Sequence, residues 1–308
     1  MTKPIREPWT PDIDVDGELA GRLIAQQFPE LAAPSLEPKG KGWDNAAFLV
    51  NDAFVFRFPR RAVAAELIET EARILPLIAS KLPLSIPTPT LIGKPAADYP
   101  WPFTGYVVLA GTVLSAVRAP ERAYREVASA LGTFLRVLHR LDLGPLTRAG
   151  LQGDKIGRLD RERMMPKLRE RLEYLQSVGV VSEAGSIANF AVGIAPEKRH
   201  AEPTAVVHGD LYARHILVND EYEPIGIIDW GDVHFGDPAV DLSIAYSLIP
   251  PRERPVFFDA YGRIDDRTME SARYRALYHS AMVAHYGHRI GDSDLVYVGI
   301  TGLRNASS

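Results

Sequence analysis

The sequence predicts an α+β fold of two lobes, a β-rich N-terminal lobe (residues 1–110) and a mostly helical C-terminal lobe (residues 111–308). Short aromatic and β-branched runs dominate before residue 110, and long amphipathic runs dominate after it. These are the patterns of strands and of helices, respectively. The 308 residues, of which 46% are hydrophobic, suffice for a core in each lobe.

The N-terminal lobe contains a predicted β-hairpin. Residues 45–50 and 53–58 are short apolar runs, and the pair Asn51-Asp52 between them favours a tight turn. Residues 65–79 carry apolar side chains at a spacing closer to helical than to alternating. This spacing predicts a helix after the hairpin.

An extended segment and one more strand complete this lobe, and helices follow. Residues 83–95 are proline-rich and are predicted to be extended, whereas the run 103–111 predicts a buried strand. Beyond it, residues 120–142 predict a long amphipathic helix. A charged helix is predicted around 159–177, and helices dominate from residue 238 to the end.

Composition and charge exclude several classes of protein. A net charge of −4 with both signs interspersed does not suit binding to nucleic acid. The absence of cysteine excludes a disulfide framework and a thiolate metal site, and it suits a reducing compartment. No apolar stretch typical of a signal peptide occurs at the N terminus, and no run reaches the roughly 18 residues that span a bilayer. The sequence therefore predicts a soluble cytoplasmic protein without a nucleic-acid or membrane partner, and it leaves the oligomeric state open.

The stretch VVHGDLYARHILV (206–218) places charged and polar side chains between two apolar strands. Asp210 lies in this loop, and the chain returns as an apolar strand over 225–229 that ends at Asp229 and is expected to pair with 215–218. Both carboxylates should therefore emerge at the same edge of a small sheet. One carboxylate can deprotonate a hydroxyl while the other holds a divalent cation, and phosphoryl transfer requires this combination.

Three motifs carry a resemblance to a known family: HGDLYARHILV (208–218), IIDW (227–230) and GDPAVDLSIA (236–245). They resemble the motifs of the aminoglycoside phosphotransferase and choline kinase superfamily, and they are most similar to its macrolide phosphotransferase branch. The resemblance implies a bilobal protein-kinase-like fold. It also implies ATP or GTP as phosphate donor, Mg²⁺ as cofactor, a site between the lobes and a hydroxyl-bearing small molecule as acceptor.

The resemblance also assigns roles in the C-terminal lobe. Asp210 is the implied catalytic base that accepts the proton of the acceptor hydroxyl, and Asp229 is the implied magnesium ligand. His215 stands where the family usually has an asparagine that helps to hold magnesium, although the macrolide branch carries histidine there. Because Mg²⁺ prefers oxygen ligands, His215 either ligates the metal less well or binds phosphate or water.

In the N-terminal lobe, the segment FVFRFPRR (54–61) matches the family's strand with a phosphate-binding lysine, and here that residue is Arg57. A guanidinium group binds phosphate oxygens in a fork. Glu71 is the implied partner of Arg57, and Glu69 is the alternative. Gly42 belongs to a glycine-bearing turn before the first hairpin, whose backbone should lie over the nucleotide phosphates.

Further family positions are expected to read the base or to support the loop. The backbone around Tyr106 and Val108 would read the edge of the nucleotide base. Asp241 resembles the family's aspartate that braces the catalytic loop. His139 and His208 are expected to be structural histidines.

The predicted acceptor regions are not acidic, which argues against a polycationic acceptor. Residues 142–205 hold nine Asp or Glu and ten Lys or Arg, and residues 266–308 hold four and five. Five side chains of the last helices either pack in the core or line a broad apolar pocket: Tyr274, Tyr278, Met282, Tyr286 and Tyr297.

The predicted function is an O-phosphotransferase that modifies an antibiotic and so confers resistance, with a macrolide as the expected acceptor. The alternatives are an aminoglycoside kinase, a metabolite kinase acting on an amino alcohol or sugar, and a nucleotide-binding pseudokinase. The last alternative arises because His215 and Arg57 depart from the family's usual asparagine and lysine.

Overall fold

The computed structural model describes residues 10–31, 34–195 and 205–308. The first nine residues, on which part of the signal-peptide prediction rests, and residues 196–204 lie outside the described chain. The chain divides into two compact units, residues 1–80 with 86–109 and residues 81–85 with 110–308. None of the described helices is long and apolar enough to cross a membrane.

In the described residues, the first unit is an antiparallel sheet with the strand order β1-β2-β3-β5-β4 and two helices. In chain order its elements are α1 (Gly17–Gln27), β1 (Leu36–Lys41), β2 (Asn45–Val50), β3 (Phe54–Pro59), α2 (Ala62–Ile78), β4 (Leu91–Gly93) and β5 (Phe103–Val107).

The hairpin predicted at Asn51-Asp52 is confirmed. Strands β2 and β3 pair in antiparallel register, with Val50 opposite Phe54. Asn51 and Asp52 have φ values of 52° and 53°, the left-handed conformation that a type I′ turn requires at both central positions. The predicted helix after the hairpin is also present as α2.

Strand β1 was not predicted, and its presence corrects the position of the glycine-bearing turn. Gly42 lies between β1 and β2, inside the first hairpin rather than before it. The sequence of β1 contains Pro38 and Gly40, and the register shifts between them. Proline is tolerated in β1 because this strand lies at the edge of the sheet, where one side needs no ladder hydrogen bond.

The two faces of β3 explain how Arg57 is placed. Phe56 and Phe58 belong to the buried aromatic core, where the rings of Phe58 and Phe103 stack with centroids 4.6 Å apart. Side chains alternate along a strand, so Arg57 lies on the other face. There it contacts Glu71 of α2.

The second unit is mostly helical within the described residues. Its elements, in chain order, are β6 (Thr112–Val113), α3 (Tyr124–Leu138), α4 (Leu143–Arg148), α5 (Arg161–Ser177), α6 (Ala184–Ile194), β7 (Ala205–Val207), β8 (Ile216–Val218), β9 (Pro224–Ile227), β10 (His234–Gly236), α7 (Ala239–Leu242), α8 (Ile244–Ser247), α9 (Arg254–Tyr261), α10 (Asp266–Ile290) and α11 (Ser293–Ser307).

Two small sheets hold the polar loop of the second unit. The predicted pairing of β8 with β9 is confirmed, with Ile216 opposite Ile227, and β6 extends this sheet on the other side of β8. Strand β7 pairs with β10. Strand β9 ends at Ile227, so Asp229 lies beyond the strand rather than at its last position. Its φ of 63° is incompatible with a continued strand.

Helix α10 is the longest of the described helices and contacts the polar loop between β7 and β8. It begins after Asp265, whose carboxylate accepts a hydrogen bond from the Thr268 N–H, and it ends at Ile290, followed by Gly291 in the left-handed conformation. These are standard start and stop signals for a helix. The helix packs against α5 and α11, and its buried face includes Arg275 and His279.

Candidate active site

Residues 208–215 connect β7 to β8 and are called the HGD loop here. Asp241, fully buried, braces this loop because its carboxylate accepts hydrogen bonds from the N–H groups of His208 (2.7 Å) and Gly209 (2.9 Å). The ring Nε2 of His139 lies 3.2 Å from the same carboxylate. Burial would raise the pKa of Asp241, but the hydrogen bond with His139 and the loop N–H groups lower it. The bracing position expected for Asp241 is thus observed.

His208 fixes the loop from inside. Its Nε2 donates to the carbonyl of Ile228 at 3.0 Å, and its Nδ1 accepts the N–H of Asp210 at 3.2 Å. Burial lowers the pKa of this imidazole, so the neutral ring has one donor and one acceptor, as these two contacts require. The prediction that His208 is a structural histidine agrees with this geometry.

Asp210 presents a carboxylate held by side chains from two elements. Its Oδ1 lies 2.8 Å from Nε2 of His279, and its Oδ2 lies 3.8 Å from Nδ1 of His215. Burial raises the pKa of Asp210, but the hydrogen bond and the charge of His279, together with the charges of His215 and Arg275, lower it to about 2. Asp210 is therefore an ionised hydrogen-bond acceptor at neutral pH.

His215 lies between the two carboxylates singled out from the sequence. Its Nδ1 donates to the backbone carbonyl of Asp210 at 2.8 Å, and its Nε2 lies 3.3 Å from Oδ2 of Asp229. Burial lowers the pKa of His215, but the hydrogen bond and charge of Asp229 outweigh this effect and raise it. The structure thus brings Asp210, His215 and Asp229 together, as the spacing of the motifs predicts.

The donor set around Asp229 fits magnesium but not a fully protein-enclosed metal. Among the described residues, no group of three or more His, Cys, Asp or Glu side chains is arranged to hold a metal ion. Mg²⁺ usually takes one or two carboxylates and completes its shell with water and phosphate oxygens. Asp229, whose side chain is 48% exposed, can supply such a carboxylate, with Nε2 of His215 beside it.

Two buried arginines lie beneath the HGD loop. The Nε of Arg158 donates to the carbonyl of Gly209 at 3.1 Å, and its guanidinium also pairs with Asp154 and Asp232. The guanidinium of Arg275 lies 3.5 Å from the same carbonyl. The sequence motifs assign no role to Arg158, Arg275 or Asp232. The structure shows that they support the turn at Gly209.

In the first unit, Arg57 and Glu71 form a buried ion pair with an N–O distance of 2.5 Å. Arg57 is 7% exposed and Glu71 is 2% exposed, whereas the alternative partner, Glu69, lies on the exposed face of α2. The predicted pairing with Glu71 is therefore confirmed. Its role in binding phosphate stays a prediction.

The backbone groups predicted to contact nucleotide are partly engaged within the first unit. The N–H of Gly42 donates to the carbonyl of Asn45 at 2.9 Å, and the N–H of Val108 donates to the carbonyl of Ala53 at 2.8 Å. Tyr106 lies in β5 opposite Val55, with a buried side chain. The N–H groups of Gly42 and Val108 thus already form hydrogen bonds inside the unit. Of the two backbone groups of Val108, only the carbonyl is left for the predicted contact with the nucleotide base.

A cleft, called the cavity here, lies in the second unit beside the HGD loop, and its empty space, including the part that is open solvent, is about 620 Å³. Tyr212 of the loop and His279, the partner of Asp210, are on its wall. None of its described lining residues is Asp or Glu, and its permanent charge is Arg118, which lies 4.7 Å from the ring centroid of Tyr297. The lining consists of Leu114, Ser115, Val117, Arg118, Tyr124, Tyr212, Ala213, Ser247, Leu248, His279, Ser280, Val283, Tyr297, Val298, Gly299 and Thr301.

The cavity and the burial of the last helices separate the two interpretations for three of the five side chains. Tyr297 lines it, whereas Tyr274 and Tyr278 are buried in the core. Met282 and Tyr286 also lie outside the cavity lining. The core interpretation therefore fits Tyr274 and Tyr278, and the pocket interpretation fits Tyr297, because helical spacing does not distinguish a core face from a pocket wall. Met282 and Tyr286 are half-buried.

A family model described as the phosphotransferase enzyme family matches residues 35–275, which include the HGD loop, Asp229 and Asp241. The chain belongs to this family. A solved structure, the GDP and kanamycin complex of APH(2″)-IIIa, is similar over 92% of this chain and 97% of its own, with 25% identity and a TM-score of 0.65.

The chain is also similar to two further proteins. Macrolide 2′-phosphotransferase type I shares 20% identity and a TM-score of 0.59 over 93% of this chain and 97% of its own. Uncharacterized protein YcbJ of Bacillus subtilis (strain 168) is 21% identical over 229 residues, which are 70% of this chain and 69% of that protein. At these identities the likeness supports a shared fold. The predicted family and kinase-like fold are confirmed.

In this phosphotransferase, replacing Glu71 with glutamine is expected to lower the free energy of unfolding by roughly 3–5 kcal/mol, because it removes the carboxylate charge paired with the buried Arg57 cation. Urea denaturation followed by circular dichroism would measure this change. The matched control is Glu69→Gln on the exposed face of the same helix, for which we expect a change within about 0.5 kcal/mol. Equal effects at the two positions would contradict a stabilising role for the buried pair.

Proposed function

We propose that this chain transfers the γ-phosphate of ATP or GTP to a hydroxyl group of a small molecule, and that this acceptor is a macrolide antibiotic. The observation that carries the transfer reaction is the arrangement of Asp210 and Asp229 on either side of His215, with N–O distances of 3.8 and 3.3 Å. Phosphoryl transfer needs a group that orients the nucleophile and positive charge near the phosphate oxygens. In this arrangement Asp210 can orient the nucleophile, and Asp229 and His215 can hold the positive charge of a metal ion.

Each residue has a distinct part in the proposed reaction. The ionised Asp210 accepts a hydrogen bond from the acceptor hydroxyl and orients its oxygen towards the γ-phosphate. It takes the hydroxyl proton as the new O–P bond forms, while the bond between the γ-phosphorus and the bridging oxygen of the β-phosphate breaks and ADP or GDP leaves. Asp229 and His215 hold Mg²⁺, which when bound supplies positive charge to the phosphate oxygens. Arg57, kept in one orientation by Glu71, binds phosphate oxygens through its guanidinium fork.

The chemistry of the cavity supports a largely apolar acceptor. Its walls carry Tyr124, Tyr212 and Tyr297 among aliphatic side chains, with no carboxylate among the described lining residues. A macrolide offers a wide apolar ring, one tertiary amine and an amino-sugar hydroxyl. Apolar burial at about 25 cal/mol per Å² would supply most of its affinity, and the cost of association would offset part of it.

An aminoglycoside is the second candidate acceptor, because the similar structure with 25% identity is a complex with GDP and kanamycin. An aminoglycoside carries several ammonium groups, and each of them gains from a nearby carboxylate. The cavity instead offers the cation Arg118. We therefore favour the macrolide.

Incubation of the full chain with Mg²⁺ and either ATP or GTP is expected to phosphorylate erythromycin and to leave kanamycin largely unmodified. Mass spectrometry of both drugs detects the added phosphate. The Asp210→Asn variant is the control for transfer by a contaminating kinase. Phosphate on kanamycin and on no macrolide would overturn the proposed acceptor while supporting phosphoryl transfer. Tight nucleotide binding without transfer to any acceptor would support a pseudokinase instead.

A further inference from the structure

His279 occupies the place where the cavity meets the HGD loop. It is 4% exposed, it lines the cavity, and its Nε2 lies 2.8 Å from Oδ1 of Asp210. His279 lies in the middle of α10, 69 residues after Asp210 in the sequence. It does not belong to any of the sequence motifs. Buried polar side chains are usually held by such specific contacts.

The geometry fixes the direction of the hydrogen bond. An ionised carboxylate only accepts, so the proton must be on Nε2 of His279. The charged groups facing this imidazole are Asp210, Arg275 and His215. Burial lowers the pKa of His279 and outweighs the opposing effect of Asp210. In both protonation states of Nδ1, the N–H at Nε2 donates to Oδ1.

This hydrogen bond makes the two oxygens of Asp210 different. Oδ1 is occupied by His279, whereas within the described residues no donor forms a hydrogen bond with Oδ2. Nδ1 of His215 lies 3.8 Å from Oδ2, beyond hydrogen-bond distance, and it already donates to the Asp210 carbonyl. Oδ2 is therefore the oxygen with an accepting position left for a further hydroxyl.

The imidazole is itself held firmly. The ring of Tyr212 packs edge-on against the imidazole of His279, with ring centroids 5.3 Å apart. The same tyrosine ring also packs edge-on against His215, with centroids 4.4 Å apart. One helical turn before His279, Arg275 reaches the carbonyl of Gly209. Helix α10 thus fixes the HGD loop at two points, through one backbone carbonyl and one carboxylate oxygen.

We propose that His279 is a positioning residue that holds Oδ1 of Asp210 and so dedicates Oδ2 to the acceptor hydroxyl. This inference rests on the proposed phosphotransferase reaction, in which Asp210 receives the proton. Without the donor, the carboxylate can rotate and present either oxygen at varied angles. A misplacement of about 1 Å at a reacting group can cost about 10²-fold in rate.

The test compares two amides of different reach at the same position. The side-chain NH₂ of His279→Gln can take the place of Nε2, whereas that of the shorter His279→Asn corresponds to Nδ1 and falls short of Oδ1. We expect kcat to fall by about 10²-fold in His279→Asn, and we expect His279→Gln to recover most of this loss. The KM for nucleotide should stay within about twofold of wild type in both variants. A third variant, His288→Gln, alters a histidine on the same helix that bonds Tyr174 instead, and it should keep wild-type kcat.

The reaction is measured both as transfer to the acceptor and, without acceptor, as nucleotide hydrolysis by water, so the test does not depend on the identity of the acceptor. Equal kcat in His279→Asn and His279→Gln, or a kcat within about threefold of wild type in His279→Asn, would overturn the positioning role alone. A folded wild-type chain that neither transfers phosphate nor hydrolyses nucleotide would overturn the proposed function together with this role. Circular dichroism confirms that each variant is folded.

Discussion

Replacing Asp210 with asparagine is expected to lower kcat by about 10²–10⁴, the usual contribution of a positioned general base. The amide keeps the shape of the side chain but cannot take the proton of the acceptor hydroxyl. Because Asp210 is not among the residues expected to hold phosphate, the affinity for nucleotide should change little. Steady-state kinetics at saturating acceptor and Mg²⁺, with nucleotide binding measured by calorimetry, would separate the two effects.

The control for the loss at Asp210 is Asp220→Asn in the β8–β9 turn. Asp220 is exposed, so the same change of charge there should leave kcat at its wild-type value. A folded Asp210→Asn variant with kcat within a few-fold of wild type would remove Asp210 from the mechanism. It would also remove the reason for His279 to hold its carboxylate.

Local sequence was sufficient to predict the elements that carry Asp210 and Asp229. The β8–β9 hairpin joins two apolar runs through the short turn after Asn219, and the motif residues lie within a few positions of these strands. A hairpin closes over a short stretch of chain, so its signals of turn and periodicity are all local. The same reason explains the success at Asn51-Asp52 between β2 and β3.

The supports of the HGD loop could not be predicted in this way. Arg158 reaches Gly209 across 51 residues of sequence, Arg275 across 66, and His279 reaches Asp210 across 69. Arg158 lies in the turn before α5, and Arg275 and His279 lie within α10; at none of these positions does a buried arginine or histidine carry a local sign of its partner. The contacts exist only once these segments pack against the HGD loop. The identity of these supports therefore depends on tertiary packing, which periodicity does not encode.

His215 illustrates how one substitution within a motif can be understood once the geometry is known. An asparagine has one donor and one acceptor end on a short amide, whereas the imidazole has nitrogens at two separated positions. In this chain one nitrogen holds the Asp210 carbonyl and the other faces Asp229. The histidine thus links the HGD loop to the residue expected to hold magnesium, which argues against a loss of function through this substitution.

Replacing Asp229 with asparagine is expected to lower kcat by about 10²-fold or more, since a bound metal supplies several kcal/mol of charge stabilisation and each 1.4 kcal/mol is worth about tenfold in rate. Asparagine is the informative substitution because the φ of Asp229 is 63°, a conformation that asparagine tolerates and alanine resists. When kcat is measured over a range of Mg²⁺ concentrations, the rate of the variant should respond more weakly to added metal than that of the wild type. Binding of Mn²⁺ in the presence of nucleotide, followed by electron paramagnetic resonance, should weaken in parallel.

Two further substitutions at Asp229 separate the loss of the carboxylate from strain of the backbone. Asp229→Gly relieves any strain at this φ, and Asp229→Ala adds about 1–2 kcal/mol of it, yet both remove the metal ligand. We therefore expect similar losses of kcat in the asparagine, glycine and alanine variants, with a lowered Tm chiefly in the alanine variant. A glycine or asparagine variant that is folded and retains full magnesium-dependent activity would show that Asp229 does not hold the metal. Activity that follows Tm across the three variants would instead assign Asp229 a purely structural role at the end of β9.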